Sequence, residues 1–255
     1  MAAVASPRAE PSGWLRWLSL AVLVAVWQLA SLWADPADLP APMQVMGVLA
    51  AEITSGELPY HLAVTLLRVA VAFSLAMLLG SVFGMLMGRY RSLDLLGDGP
   101  LVLGLNVPAL IIIMLCYLWL GLTELAAVLA VVVNKVPLVA VTVREGARAV
   151  DQDLLDVARA YRLPAWRRLW RVYLPQLQPY LLAAARSGLS LIWKIVLVVE
   201  LLGRSSGVGF KLGTFFQFFD IASILAYTLA FAAVVFAVEA WLMRPLERHL
   251  ARWRR

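Results

Sequence analysis

The sequence predicts an all-α, polytopic membrane protein with about six membrane-spanning helices and one helix-turn-helix insert. Three observations predict it. The chain has 255 residues, 62% of them hydrophobic and only 15% charged, where a soluble domain is nearer ~45–50% and ~25%. Apolar stretches of ~20 residues recur, and a soluble helix of that length needs one wet face. A charged stretch, "DVARAYRLPAWRRLWRVYLPQLQP", interrupts them from Asp156 to Pro179.

Six spans follow in order: Trp14–Trp33, Leu62–Gly88, Leu101–Leu120, Leu122–Val143, Leu177–Leu202 and Ile221–Met243. Each is long enough to cross ~30 Å of hydrocarbon as a helix. The first has a rival reading as a signal peptide, since Arg8 and Arg16 stand near its start. It is too long for the apolar core of one, is Trp-rich, and lacks a small-residue cleavage site before Asp35. The expectation is a retained span, with residues 1–13 as a tail and 14–255 as a single domain.

Lys and Arg orient the spans. With the N-terminus in the cytoplasm, the inside segments hold Arg8 and Arg16, Arg89 and Arg91, seven arginines from Arg144 to Arg171, and Arg244, Arg248, Arg252, Arg254 and Arg255, which is 16 of the 22 basic residues. The outside loops hold only Arg204 and Lys211, beside Asp35, Asp38, Glu52, Glu57, Glu124 and Asp220. Both termini and the insert are therefore expected inside. The topology, rather than nucleic acid, accounts for the net charge of +6. One cysteine, Cys116, and two distant histidines, His61 and His249, leave neither an intrachain disulfide nor an evident metal site.

Within the spans, Gly80, Gly84 and Gly88 share one helix face and suit close packing within the subunit. Asn106 and Pro108 are expected to break the third span, and Asn134, Lys135 and Pro137 the fourth. Arg68, Arg186 and Glu239 lie near span ends, where internal ion pairs or snorkelling suit them. Lys135 and Lys194 lie deeper and are expected on a solute pathway, with Asn106, Asn134, Glu200, Ser205 and Ser206 as its other polar groups. Basic groups outnumber acidic ones there, which favours an anionic solute; a neutral or cationic solute such as a vitamin precursor is the alternative.

The insert, residues 151–175, reads as two short helices. Asp151 or Asp153 caps the first, in which Leu154, Leu155, Ala158 and Tyr161 form an apolar face. Leu163-Pro164 ends it, since the residue before proline avoids helical geometry and proline suits a helix start. Trp166, Leu169, Trp170 and Tyr173 form a stripe on the second, which Pro175 is expected to stop. Such a pair could rest on anionic lipid or dock into a partner's groove. A tight hinge favours docking.

The stretch resembles the EAA loop of permease subunits of bacterial ABC importers, a pattern of Glu-Ala-Ala, then Gly, then an apolar-x-x-Leu-Pro close. Asp156-Val157-Ala158 stands at Glu-Ala-Ala and Leu174-Pro175 at Leu-Pro. "REGARAVDQDLLDVARA", "VVELLGRSSGVG", "LPAPMQV" and "TLLRVAVAFSLAMLLGSVFGMLMGR" are similar to the branch importing nitrate, sulfonates and taurine. The resemblance implies a bacterial inner-membrane permease, paired with a second copy, two cytoplasmic ATPase subunits that bind ATP and Mg, and an extracytoplasmic substrate-binding protein. It carries ATPase coupling onto Asp156, Ala158, Arg159, Ala160, Arg162, Leu163, Pro164, Trp166, Leu169 and Pro175. Two positions depart from the pattern. Asp156 is one methylene shorter than Glu, and Arg162 stands where Gly would permit a turn, so Leu163-Pro164 is expected to make the turn instead.

Two other classes compete. A membrane scaffold would dock a non-ATPase partner on the same insert. A hydrolase would use Gly203-Arg204-Ser205-Ser206-Gly207, which matches G-x-S-x-G, with Asp220 and His249. The elbow needs a strand-turn-helix that this sequence does not offer. The loop is better read as lying near a gate or a docking surface. No G-x-x-x-x-G-K-[ST] occurs, so ATP phosphates are not cradled here by that route.

Overall fold

In a computed structural model, residues 13–243 and 245 are described, and every regular element among them is a helix. Residues 1–12 of the expected tail, the basic residues Arg8, Arg244, Arg248, Arg252, Arg254 and Arg255, and His249 lie outside the described residues. The elements are α1 (Gly13–Ser31), α2 (Pro42–Thr54), α3 (Glu57–Arg89), α4 (Arg91–Asn106), α5 (Ala109–Leu120), α6 (Glu124–Arg148), α7 (Gln152–Ala160), α8 (Ala165–Arg168), α9 (Leu174–Gly203), α10 (Val208–Gln217) and α11 (Ile221–Val238). A π-helical turn, Leu169–Tyr173, joins α8 to α9 without a break, and another, Glu239–Met243, extends α11.

Four helical stretches are long and apolar enough to cross a membrane: Glu57–Arg89, Glu124–Arg148, Ala165–Gly203 and Ile221–Trp241. The third span is broken, as Asn106 and Pro108 lead one to expect, into two helices, α4 and α5, bent by 99° at Val107-Pro108. The proline's missing donor and its steric demand on the preceding residue produce the break. The first expected span is α1, whose described apolar part is Leu18–Ser31. It stands to one side with most of its apolar residues exposed, tied by the Trp27 indole donating to the Pro40 carbonyl at 3.1 Å.

The core is α3 and α6 running side by side in the same direction, with α9 packed antiparallel against both. A shared register shows the parallel pair: Gly80 meets Val139, Gly84 meets Val143 and Gly88 meets Ala147. A Cβ at Gly84 would stand 2.5 Å from the Ala140 carbonyl oxygen. The glycine stripe thus brings two backbones together within the subunit, as the four-residue spacing predicts.

Two expected interruptions do not occur. α6 runs unbroken through Pro137, which is buried with its ring against Gly104. Tertiary packing holds the proline inside the helix, where propensity alone would end it. Pro175 does not stop the second insert helix either. The π turn reorganises the bonds around it, with the Leu174 amide donating to the Leu169 carbonyl, five residues back. The Gln176 side chain then donates to the Val172 carbonyl at 3.0 Å.

Two helices were not expected. α2 starts with Pro42 in its first turn, packs on α11 and α3, and has Val45 fully buried. α10 follows Gly207 and packs on α9 and α11. Glu52 and Lys211, expected in loops, therefore sit on helices. Glu52 accepts from the Tyr227 hydroxyl at 2.7 Å, and Lys211 pairs with Glu57 at 2.8 Å.

Candidate functional site

At one end of the three-helix core, Arg68 of α3 gathers three other segments. Its guanidinium makes a two-pronged contact with Glu124 at the start of α6, 2.8 and 2.6 Å. It also donates to Glu200 of α9 at 2.8 Å, and to the carbonyl and hydroxyl of Ser206 at 2.6 and 2.9 Å. Glu200 is fully buried and accepts in addition from the Thr65 hydroxyl and the Gly209 amide, both at 2.9 Å. The Val208 amide donates to Thr65 at 2.8 Å, and the Gly207 amide to His61 Nδ1 at 2.9 Å. Gly207 has φ +108, and a Cβ there would meet the Glu200 carboxylate at 2.3 Å, so only glycine lets the loop close over the acid.

Glu200 and Ser206, expected on a solute pathway, both bond Arg68, and these contacts fix the loop between α9 and α10. Ser205 stays exposed in a groove beside Arg204 and Phe210, while Asp220 caps α11 through the Ser223 amide and hydroxyl. No nucleophile-base pair forms between Ser205 and Asp220. Glu124, His61, Thr65 and Arg204 belong to the node, and sequence reasoning missed them. Arg204 also pairs with Glu124. The available signal was the excess of acid in the outer segments, which has no reason to remain unpaired.

The opposite end has a second ion cluster. Arg144 of α6 pairs with Asp98 at 2.7 Å and Asp94 at 3.3 Å, both on α4, and Arg148 joins Asp94. The cluster pins α4 to α6 beside the insert.

The insert forms a hairpin. Asp151 caps α7, accepting from the Asp153 amide at 2.9 Å. The Arg162 amide donates to the Arg159 carbonyl at 2.8 Å, and the Leu163 amide to the Ala158 carbonyl at 3.0 Å. Arg162 itself adopts φ +52. These are the two bonds of a left-handed helix cap. The turn is therefore made at Arg162, the position where the family pattern has glycine, rather than by Leu163-Pro164 as expected; Pro164 opens α8. Leu155 and Ala158 are buried inward, whereas Leu154 and Tyr161, expected on the same face, are exposed. Asp156 pairs with Arg159 on the outer surface. Tyr161, Trp166 and Trp170 are 80%, 67% and 53% exposed, and the two indoles lie 5.1 Å apart. Ala160 and Pro164 also face outward, and Leu169 lines a cavity with Arg89, Tyr90 and Arg168. Pro175 and Leu163 border a second cavity on the other flank. Aromatic area of this size in water is unfavourable by about 1.5–3 kcal/mol per side chain relative to burial, so the surface suits a partner.

Midway along the spans, the polar residues divide. Lys135 is 5% exposed inside α6, and no ion pair reaches it among the described residues. Asn134 is half-buried beside it. Asn106 is exposed at the α4–α5 break and donates to the Val102 carbonyl at 2.7 Å. Lys194 is exposed in a groove between α9 and α11, with Arg186, Ser190, Trp193 and Glu239 among its walls. A cation at the centre of a lipid-facing helix costs at least ~2.5–3.5 kcal/mol, so this face is not built for hydrocarbon.

Comparison with known proteins places these features together. Residues 76–252 match the family described as binding-protein-dependent transport system inner membrane component. The chain is 33% identical to a putative aliphatic sulfonates transport permease of Bacillus subtilis, over 97% of this chain and 91% of the relative. It is 30% identical to the taurine transport system permease of Escherichia coli, over 92% and 88%. It is 26% identical to the nitrate import permease of Synechocystis, over 76% and 73%. Among solved structures, an amino acid ABC transporter superposes with a TM-score of 0.58 at 19% identity, covering 80% of this chain and 96% of the other. The inward-facing MetNI methionine ABC transporter gives 0.58 at 16% identity, covering 76% and 94%.

Proposed function

Because the chain belongs to the family of binding-protein-dependent transport system inner membrane components, we propose that it forms the membrane pathway of an ATP-driven importer of a small anion. The named solutes of its relatives support the anion: aliphatic sulfonates and nitrate. Lys135 and Lys194, which meet no carboxylate among the described residues, support it independently.

The observation that carries the coupling is the hairpin surface of Tyr161, Trp166 and Trp170, exposed beside Arg167 and Arg171. The chain lacks a phosphate-cradling loop of its own. ATP and Mg then belong to two cytoplasmic ATPase subunits, each receiving one hairpin of a permease homodimer. Nucleotide closes the ATPase pair, the hairpins move with it, and the π turn at Leu169–Tyr173 transmits the motion straight into α9, since no loop intervenes. α9 ends in the Arg68 node, so the same rigid rod reaches the loop after Gly203. In this reading both termini and the hairpin are cytoplasmic, and the node lies at the outer face, where a binding protein delivers solute.

Copurification tests the coupling. Trp166→Ala with Leu169→Ala should abolish recovery of the cognate ATPase with the permease while leaving the chain inserted; full recovery would refute it. Cysteines at positions 167 and 211 in a Cys116→Ala background test the direction. Only position 211 should react with an impermeant thiol reagent in intact cells, and reaction at 167 alone would invert the topology.

A further inference from the structure

The last turns of α3 and one face of the hairpin enclose a cavity of about 350 Å³. α7 contributes Leu155 and Arg159 to it, and α8 with the π turn contributes Ala165, Arg168, Leu169 and Tyr173. Both sets repeat at three- or four-residue spacing, so each presents one helix face. Trp166 and Trp170 do not line the cavity, which separates it from the exposed aromatic surface. Toward the middle of α3 its lining is apolar, with Val82, Met85 and Leu86; at the end of α3 it becomes basic, with Arg89 facing Arg159 and Arg168. Arg159 pairs with Asp156. The Arg89 guanidinium lies 5.8 Å from the Tyr90 ring centre, and neither Arg89 nor Arg168 meets a carboxylate among the described residues.

Arg89 stands 21 residues beyond Arg68 on α3, about 32 Å of helix. That matches the ~30 Å hydrocarbon layer. With the Arg68 node at one membrane surface, the basic end of the cavity therefore stands at headgroup level on the other. On the span side, α3 carries exposed Leu75, Leu79, Val82 and Leu86. Their spacing makes one apolar stripe, which runs from the cavity along the span.

The geometry points to this cavity as a site for one anionic phospholipid of the cytoplasmic leaflet. Arg89 and Arg168 meet the phosphate as charge-assisted donors. The acyl chains leave along the α3 stripe. A free phosphate leaves the apolar part of the cavity unfilled, and a zwitterionic lipid brings an ammonium group to a rim that already holds two cations without carboxylates. The volume is at the low end of the ~300–1,000 Å³ of small-molecule sites, which suits a headgroup with its glycerol rather than a whole lipid. Bound there, the lipid bridges α3, α7 and α8 and ties the hairpin to the span from the side opposite its aromatic surface. The inference rests on the membrane orientation of the reading above and on neither the solute nor the ATPase; the thiol labelling at position 167 reports on that orientation separately.

Native mass spectrometry of the delipidated full chain in detergent tests the site, with dioleoyl phosphatidylglycerol and dioleoyl phosphatidylcholine supplied in equal amounts. One phosphatidylglycerol per chain should be retained, in preference to phosphatidylcholine by roughly ten-fold or more. Arg89→Gln with Arg168→Gln should abolish the preference. Arg167→Gln with Arg171→Gln makes the same change of charge outside the cavity and should preserve it. Ala165→Phe fills the cavity without touching an arginine and should also abolish retention, which keeps the test decisive where the double arginine variant fails to fold. Equal retention of the two lipids overturns the site. So does equal loss in both double arginine variants, which would mean diffuse attraction to a basic surface, and so does full retention in Ala165→Phe. Displacement of the bound lipid by inorganic phosphate would assign the cavity to a free anion and overturn the lipid.

Discussion

Two neighbouring stretches of α9 handle charge in opposite ways. At Glu200 every charge is answered. The acid is fully buried, and Arg68, Thr65 and the Gly209 amide occupy its oxygens. Around Lys194, six residues earlier, a groove remains open and a cation stands without a protein partner among the described residues. The same helix, in the same apolar setting, thus carries one charged site that is closed and one that is not. A closed site holds structure, because a saturated network has nothing left to offer a ligand. An open site of this kind retains unmet interaction, which a passing solute can satisfy. The distinction separates residues that a sequence ranks together, since Glu200 and Lys194 are equally improbable in a membrane helix.

Breaking the closed site should produce the largest effect. Arg68→Met leaves Glu200 buried without its cation and should destabilise the detergent-purified chain by about 3–5 kcal/mol, read as a lowered thermal unfolding midpoint. A midpoint within error of wild type would mean that the node is not structural.

The scaffold beneath the node comes next. Gly84→Val forces a branched side chain against the Ala140 carbonyl and Val143 and should cost about 1–3 kcal/mol. Thermal unfolding of this variant should fall clearly, but by less than for Arg68→Met. An unchanged midpoint would show that α3 and α6 separate easily, contrary to the register seen here.

The hairpin provides a smaller change of opposite sign. Arg162 adopts φ +52, a conformation that disfavours residues with a Cβ. Arg162→Gly removes that strain but adds unfolded-chain entropy, so a gain of about 1 kcal/mol or less is expected, visible as slower proteolysis of the insert. Faster cleavage would show that the arginine side chain stabilises the turn. Smallest of all is the open site. Lys194→Met should change stability by less than about 0.5 kcal/mol, although it is expected to impair transport. A loss comparable to Arg68→Met would erase the contrast between the two stretches of α9.

Much of this was legible beforehand. Periodicity and apolar length located the long helices. The insert announced itself by Asp151 and Pro164, and the glycine stripe by its spacing. The misreadings share a cause. Pro137 and Pro175 were read as breaks because local propensity is all that a sequence displays, whereas burial against Gly104 and a π turn accommodate them. α2 was passed over although Pro42, Val45, Leu49 and Ile53 carry both a start signal and helical spacing.

By itself the sequence determined an all-helical membrane chain, the place of its charged hairpin and the depth of its unusual charges. These follow from composition and short-range spacing, which act within a few residues of chain. Only the tertiary structure decided which charges are partnered. Arg68 meets Glu124 and Glu200 from positions 56 and 132 residues away, and the 99° bend between α4 and α5 has an angle that no local pattern encodes. Partnership is a matter of which helix faces meet in space, and those faces are chosen by the packing of the whole bundle rather than by any segment of it.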